Sequence, residues 1–311
     1  MNMRRLLRGL GLLVSLAALV WIGLRFAHSD AFSVFERVEV GTWRLGAALA
    51  ASAVAYALAL ATLAFAWWRL LVGLSPEPPP KWATLATWCV SQYGKYLPGN
   101  VAHYALRHAW SRHHATSHTV LGLAALIEAA LLLLTALALA LCFGTSSLPL
   151  PGVDLRIALV LVLAGSVVGI LVLHWLRRHG HFARLSLPRL PPTMLASVFA
   201  CDLAFFAATA TILYGLGHLL GANADWPLML AAGAASWAAG FIVIGAPAGL
   251  GVREVAFVAL AGSTLGEDRA LLLIALYRLV TFFGDTLAFA IGALLMRRAR
   301  AADPDGDSAT L

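Results

Sequence analysis

Seven long apolar runs restrict the fold of this chain more than any other feature. Each has about 20 residues or more, the length that an α-helix needs to cross the hydrocarbon core of a bilayer. They lie at residues 6–26, 41–67, 119–143, 154–175, 193–219, 226–246 and 269–296. Only 12% of the residues are charged, against roughly 25% in soluble domains. The sequence therefore excludes a soluble or disordered protein and predicts an all-α, polytopic transmembrane helix bundle.

Two shorter apolar segments predict broken or re-entrant structure near residues 82–100 and 245–265. The first, 82–97, ends at Pro98-Gly99-Asn100, and the second, 252–265, follows a Gly- and Pro-rich stretch. Both chain ends carry clustered arginines, which favours an even number of crossings. We expect about eight helices, with 252–265 crossing and 82–97 turning back. In the alternative, 226–246 and 252–265 form one broken hairpin, which leaves six crossings.

The distribution of Lys and Arg predicts that both termini are cytoplasmic. With the N-terminus inside, most of the 22 Lys and Arg residues fall on the inner side, as the positive-inside rule requires. The predicted outer side receives Arg25, Arg37, Arg44, Arg156 and Arg269. The first run has no small-residue cleavage site and is interpreted as an uncleaved span. We expect one membrane domain over 1–296 and a short cytoplasmic tail over 297–311.

Four ionisable residues lie inside predicted spans: Glu128, Asp202, Arg278 and Asp285. Such residues are costly in a bilayer and usually mark a functional site. They therefore indicate a polar path for a charged group. The structural alternative is that Glu128 or Asp202 pairs with Arg278 and holds helices together.

The stretch that ends at Glu254 predicts an anion site. Pro247, Gly249 and Gly251 interrupt the helix and leave backbone groups without intrahelical partners, which membranes tolerate only in protein or in a wet cavity. The helix that follows presents free N–H groups, and Arg253 adds a guanidinium suited to phosphate. The simpler alternative is a tight turn with a surface ion pair.

The other break, at residues 98–100, lies among cations and aromatic residues. Lys95, Tyr96 and Arg107 are predicted at the inner membrane surface, where such side chains meet lipid head groups. We expect a head group to enter there. An ordinary positive-inside loop with an aromatic belt explains the cations but not the break.

The sequence does not favour metal, cofactor or catalytic chemistry. Five histidines lie close together, at positions 103, 108, 113, 114 and 118, with no carboxylate or cysteine among them. The three cysteines are widely spaced, and no nucleophile–base motif is present. We expect no metal, no cofactor and no enzymatic activity. The net charge of +7 is attributed to topology, so no nucleic-acid partner is expected.

Several of these residues together resemble a known family. Tyr96-Leu97-Pro98-Gly99-Asn100, Glu128, the stretch from Pro247 to Glu254 and Arg278 are similar to the membrane domain of lysylphosphatidylglycerol synthases, the multiple peptide resistance factor family. Ala129 and Ala248 stand where that family usually has arginine and glycine. The resemblance implies a stand-alone, flippase-like domain without an aminoacyl transferase.

The predicted function is a lipid translocase of the bacterial inner membrane that moves an anionic or phosphate-linked lipid between leaflets. The rival is a non-transporting membrane partner of a lipid-modifying enzyme or glycosyltransferase. The oligomeric state is not predicted. The expected substrate-binding residues are Lys95, Tyr96, Pro98, Gly99, Asn100, Arg107, Glu128, Asp202, Gly249, Gly251, Arg253, Glu254, Arg278 and Asp285.

Overall fold

The computed structural model describes residues 20, 23–24, 41–97, 102–111, 116–144, 191–223, 225–243 and 246–302. Within these ranges all regular secondary structure is helical, with eight α-helices and two short 3₁₀ segments and no strand. The predicted all-α bundle is thereby confirmed. The span predicted at 154–175 and nearly all of the one at 6–26 lie outside the described residues.

Four long helices form the frame of the bundle. They are α1 (Thr42–Leu74), α4 (His118–Gly144), α5 (Pro192–Leu219) and α8 (Glu267–Ala302). At 1.5 Å per residue the shortest of them measures about 40 Å, which exceeds the roughly 30 Å hydrocarbon core. Both α1 and α8 continue past the predicted ends of their apolar runs, because good helix formers such as Arg297 extend a helix beyond the point where apolar sequence stops.

The segment that was expected to turn back forms a short helical hairpin. It consists of α2 (Lys81–Ser91), a 3₁₀ turn, η1 (Gln92–Tyr96), and α3 (Ala102–Ser111). At about 16 and 15 Å, neither α-helix is long enough to cross a bilayer. The two α-helices pack against each other. A Cβ on Gly94 would lie 2.6 Å from the backbone nitrogen of His103, so this close return requires glycine.

A second broken hairpin consists of α6 (Trp226–Ile242), a 3₁₀ turn, η2 (Pro247–Gly249), and α7 (Val252–Leu265). Three positive φ angles reverse the chain: +50° at Ala248, +69° at Gly249 and +84° at Gly251. Together with η2, α7 is a candidate span of 19 residues, whereas α6 is shorter. The number of eight crossings stays a prediction.

The two hairpins meet inside the bundle. Segment η1 of the first contacts η2 of the second, and both hairpins pack on α8. The helices come close where small residues allow it, which is how transmembrane helices associate when lipid removes the hydrophobic driving force. A Cβ on Gly284 would lie 2.9 Å from the carbonyl oxygen of Ala53 on α1, and one on Gly292 would lie 3.0 Å from that of Ala86 on α2. Helix α8 is therefore the element around which both hairpins are arranged.

Candidate functional site

The tip of the first hairpin is attached to α8 through Asp285. Lys95 Nζ lies 2.7 Å from Asp285 Oδ1, and the hydroxyl of Tyr96 donates a 2.6 Å hydrogen bond to Oδ2. The side chain of Asp285 is completely buried. The structure thus brings together Lys95, Tyr96 and Asp285, which the sequence had placed at an entry site and on a polar path. Pro98, Gly99 and Asn100 lie outside the described residues.

The second hairpin is attached to the same helix through Arg278. Its Nε lies 2.7 Å from Glu254 Oε1, and Nη1 donates a 3.4 Å hydrogen bond to the carbonyl of Ala248. The predicted break therefore has one of its free carbonyls satisfied by a side chain on α8. Arg278 and Asp285 are seven residues apart on α8, about 10 Å along the axis. The alternative pairing of Arg278 with Glu128 or Asp202 is wrong.

Arg253 lies in a narrow slot between the two arms of the second hairpin. A Cβ on Gly240 would lie 2.7 Å from Arg253 Nε, and one on Gly249 would lie 2.6 Å from the same atom. The guanidinium carbon is 5.7 Å from the centroid of the Trp237 ring. Buried Nε has no hydrogen-bond partner. The two glycines leave the space in which this cation is held.

Arg253 and Arg278 line a cavity between α1, α5, α6, α7 and α8. Its volume is about 20 Å³, enough for roughly one water molecule. The other polar residues that line it carry hydroxyl groups: Tyr56, Thr209, Ser236 and Tyr277. None of the described lining residues is acidic, and Glu254 neutralises one of the two guanidinium groups. The cavity therefore favours an anion.

Arg107, which the sequence predicts at the inner membrane surface, is buried inside the helix bundle. It is 2% exposed and forms an ion pair with Glu128 on α4. Trp88 Nε1 donates a 2.9 Å hydrogen bond to the other carboxylate oxygen. The guanidinium carbon lies 4.5, 5.1 and 5.5 Å from the ring centroids of Trp67, Trp88 and Tyr104, respectively. Arg107 thus gives Glu128 a cationic partner although alanine follows at position 129.

Asp202 differs from the other membrane carboxylates. It is 2% exposed, and its Oδ2 has no hydrogen-bond partner. It does not line the cavity, and neither do Glu128 and Asp285. The predicted single path through Glu128, Asp202, Arg278 and Asp285 is therefore not found in the described structure. Instead, these four residues lie in four separate environments.

Sequence analysis missed the hydroxyl-bearing residues of the cavity. Single Tyr, Thr and Ser residues are common in membrane helices and give no signal by themselves. His103, Arg107 and Ser111 recur every four residues and form the buried face of α3. The spacing shows that these residues share a face, but their polar character gives no sign that this face is buried.

The described part of the chain contains no cluster of three or more His, Cys, Asp or Glu residues suited to a metal ion. His108 Nε2 and His118 Nδ1 are 2.6 Å apart at the surface. His113 and His114 lie outside the described residues.

Comparison with known proteins identifies the family. The family model described as "Lysylphosphatidylglycerol synthase TM region" matches residues 9–288. No curated protein matches the chain. The family match covers the two hairpins, α8 up to residue 288 and the site residues described in this subsection. The chain therefore belongs to the family of lysylphosphatidylglycerol synthase transmembrane regions.

Proposed function

We propose that this protein moves an anionic or phosphate-linked lipid between the leaflets of the bacterial inner membrane, with both termini in the cytoplasm. The observation that carries the proposal is the cavity where the second hairpin meets α8. It has two guanidinium groups, four hydroxyl-bearing residues and no acidic residue among those described. Guanidinium groups bind phosphate in a bidentate manner. Such a cavity suits the phosphate of a lipid head group.

The interrupted helix supports the same proposal. Helix α7 begins at Val252, directly after the turn, and its first amides have no intrahelical acceptors. Helix N-termini of this kind attract anions. Discontinuous helices whose ends point at a substrate within the membrane are typical of transporters.

Transport requires the cavity to open, since about 20 Å³ is too little for a phosphate group. The connections that hold the hairpin tips on α8 are Lys95–Asp285 and Glu254–Arg278. We propose that these two ion pairs separate and re-form as the head group passes. Lys95, which is 17% exposed, is then the first cation that a head group meets beside η1.

A second candidate function has an observation in its favour. The ion pairs are closed and the cavity is small, as expected of a non-transporting membrane partner of a lipid-modifying enzyme or glycosyltransferase. In that case the paired charges serve only to hold the helices together.

Leaflet transfer in proteoliposomes tests the proposal. Vesicles would contain fluorescent, head-group-labelled phosphatidylglycerol or a zwitterionic control lipid, with dithionite added outside to quench the outer leaflet. We expect wild-type protein to transfer phosphatidylglycerol. Arg253→Ala removes a charged hydrogen-bond donor to phosphate, worth about 1.5–3 kcal/mol, so transfer should fall roughly ten- to hundredfold.

Arg44→Ala is the matched control, because Arg44 is an exposed cation near the start of α1. This variant should transfer lipid as the wild type does. Equal quenching for wild type, Arg253→Ala and empty vesicles would refute transport of these lipids. The partner function would then be the better explanation.

A further inference from the structure

Asp202 has no role in the cavity or in the hairpin connections, yet it is buried in the middle of a membrane helix. It lies ten residues from the start of α5, about 15 Å along the axis, or near half the thickness of the hydrocarbon core. Its side chain is almost completely enclosed, and Oδ2 accepts no hydrogen bond. A carboxyl group at such a depth needs either a cation or a proton.

Among the described residues, the elements packed against α5 do not supply that cation. On α4 the buried charged group is Glu128, whose carboxylate pairs with Arg107 and supplies no cation. On α1, Arg69 Nε donates to the hydroxyl of Ser197, more than a helical turn away from Asp202. Helix α6 contains no ionisable residue.

The charged groups of α8 that face the interior are paired elsewhere. Arg278 pairs with Glu254 and Asp285 with Lys95. Tyr56 on α1 and Tyr277 on α8 line the cavity and carry no charge at neutral pH. Among the described carboxylates buried with it, Glu128, Glu254 and Asp285 each have a cation. Asp202 is the exception, since no ion pair with a described cation is found for it.

Asp202 is 2% exposed, so little water reaches it in the closed state. Phe206, one helical turn further along the same face of α5, lines the cavity, and so does Phe205. The two rings are 5.3 Å apart at their centroids, and they stand between Asp202 and Thr209 along α5. An opening wide enough for a head group has to displace these rings, and this movement is the step that would give water access to the neighbouring carboxyl group.

We propose that Asp202 is the proton-binding carboxyl of the transport cycle. It holds a proton in the closed state described here. When the cavity opens, the proton is released to one side of the membrane, and another is taken up from the opposite side before closure. This inference rests on the proposed lipid transport, to which it adds the source of energy.

Infrared spectroscopy tests the protonation without reference to transport. At neutral pH we expect the carbonyl stretch of a protonated carboxyl group, which Asp202→Asn removes. Asp225→Asn makes the same chemical change at an exposed position and should leave this band in place. If Asp202→Asn removes no such band, Asp202 is ionised and the proposal is wrong.

A transfer assay with an imposed pH difference tests the coupling. At one proton per lipid, wild-type protein should drive the labelled lipid toward about a tenfold ratio between leaflets per pH unit. Asp202→Asn mimics the protonated state and should still equilibrate the lipid, with a ratio that ignores the pH difference. A wild-type ratio that ignores the pH difference, or follows a sodium gradient instead, would overturn the coupling while transport itself stands. Absence of any wild-type transfer would refute the proposed function, and the infrared result would still decide the protonation.

Discussion

Glu128→Gln should destabilise the protein strongly, because it leaves a buried guanidinium without its counter-charge. Arg107 is 2% exposed and surrounded by aromatic rings, so water compensates only weakly for the lost carboxylate. Breaking a buried ion pair by removing one partner costs about 3–5 kcal/mol. Gln keeps an oxygen that can accept the hydrogen bond of Trp88, so the expected loss of unfolding free energy comes from the ion pair alone.

The double variant Arg107→Met/Glu128→Gln separates two contributions to the loss of stability: the cost of a buried charge without a counter-charge, and the loss of packing. Arg107→Met alone should lose the ion pair and the contacts with Trp67, Trp88 and Tyr104, each worth about 0.5–2 kcal/mol. The double variant leaves no buried charge without a partner, and methionine fills part of the space of the Arg107 side chain. We expect it to be more stable than either single variant, with a coupling energy of about 3 kcal/mol.

Unfolding in mixed detergent micelles, followed by tryptophan fluorescence, measures these differences. Glu77→Gln is the control: Glu77 is an exposed carboxylate in the loop before α2, and its substitution should change stability by less than about 0.5 kcal/mol. The reasoning fails if Glu128→Gln costs no more than this control. It also fails if the double variant loses the sum of the two single losses.

Three backbone positions give further predictions. Ala248→Gly should stabilise the protein by about 1 kcal/mol in the same unfolding assay. The left-handed φ of +50° costs alanine about 1–2 kcal/mol, whereas glycine makes the unfolded chain more flexible and so cancels part of the gain. A loss of stability would mean that packing of the buried methyl group dominates. Gly240→Ala should displace Arg253, with a Cβ 2.7 Å from its Nε, and reduce vesicle transfer to the level of Arg253→Ala; wild-type transfer would contradict this. Gly94→Ala should cost about 1–3 kcal/mol, since its Cβ would lie 2.6 Å from the backbone nitrogen of His103; unchanged unfolding would show that the first hairpin packs less closely.

The broken hairpins could be predicted from the sequence, because Pro and Gly interrupt apolar runs for local steric reasons. The predicted break of the apolar sequence at 247–251 matches the observed turn, and the short apolar run at 82–97 matches α2 with η1. Local sterics also explain why Gly249 and Gly251 have positive φ.

The pairing of charges could not be predicted in the same way. Which cation faces which carboxylate depends on how far each hairpin enters the bundle and on how each helix is rotated. The sequence predicts Arg107 on a positively charged surface, whereas η1 and α3 fold back far enough to bring it to Glu128. Glu254 and Arg278 are each twelve residues from Gly266, at the turn between α7 and α8. The antiparallel packing of these helices therefore places them at the same level, a relation that the apolar runs do not reveal.

The two attachments to α8 have a mechanical consequence. An unbroken α-helix hardly changes length along its axis, so the spacing between Arg278 and Asp285 stays constant while their partners move. A displacement that keeps both ion pairs must carry α8 with both hairpins, and one that separates the hairpins must break at least one pair. A spectroscopic label on the exposed face of α8 thus distinguishes these two kinds of motion. In the first, its distance to labels on both hairpins stays constant, and in the second, its distance to at least one hairpin changes.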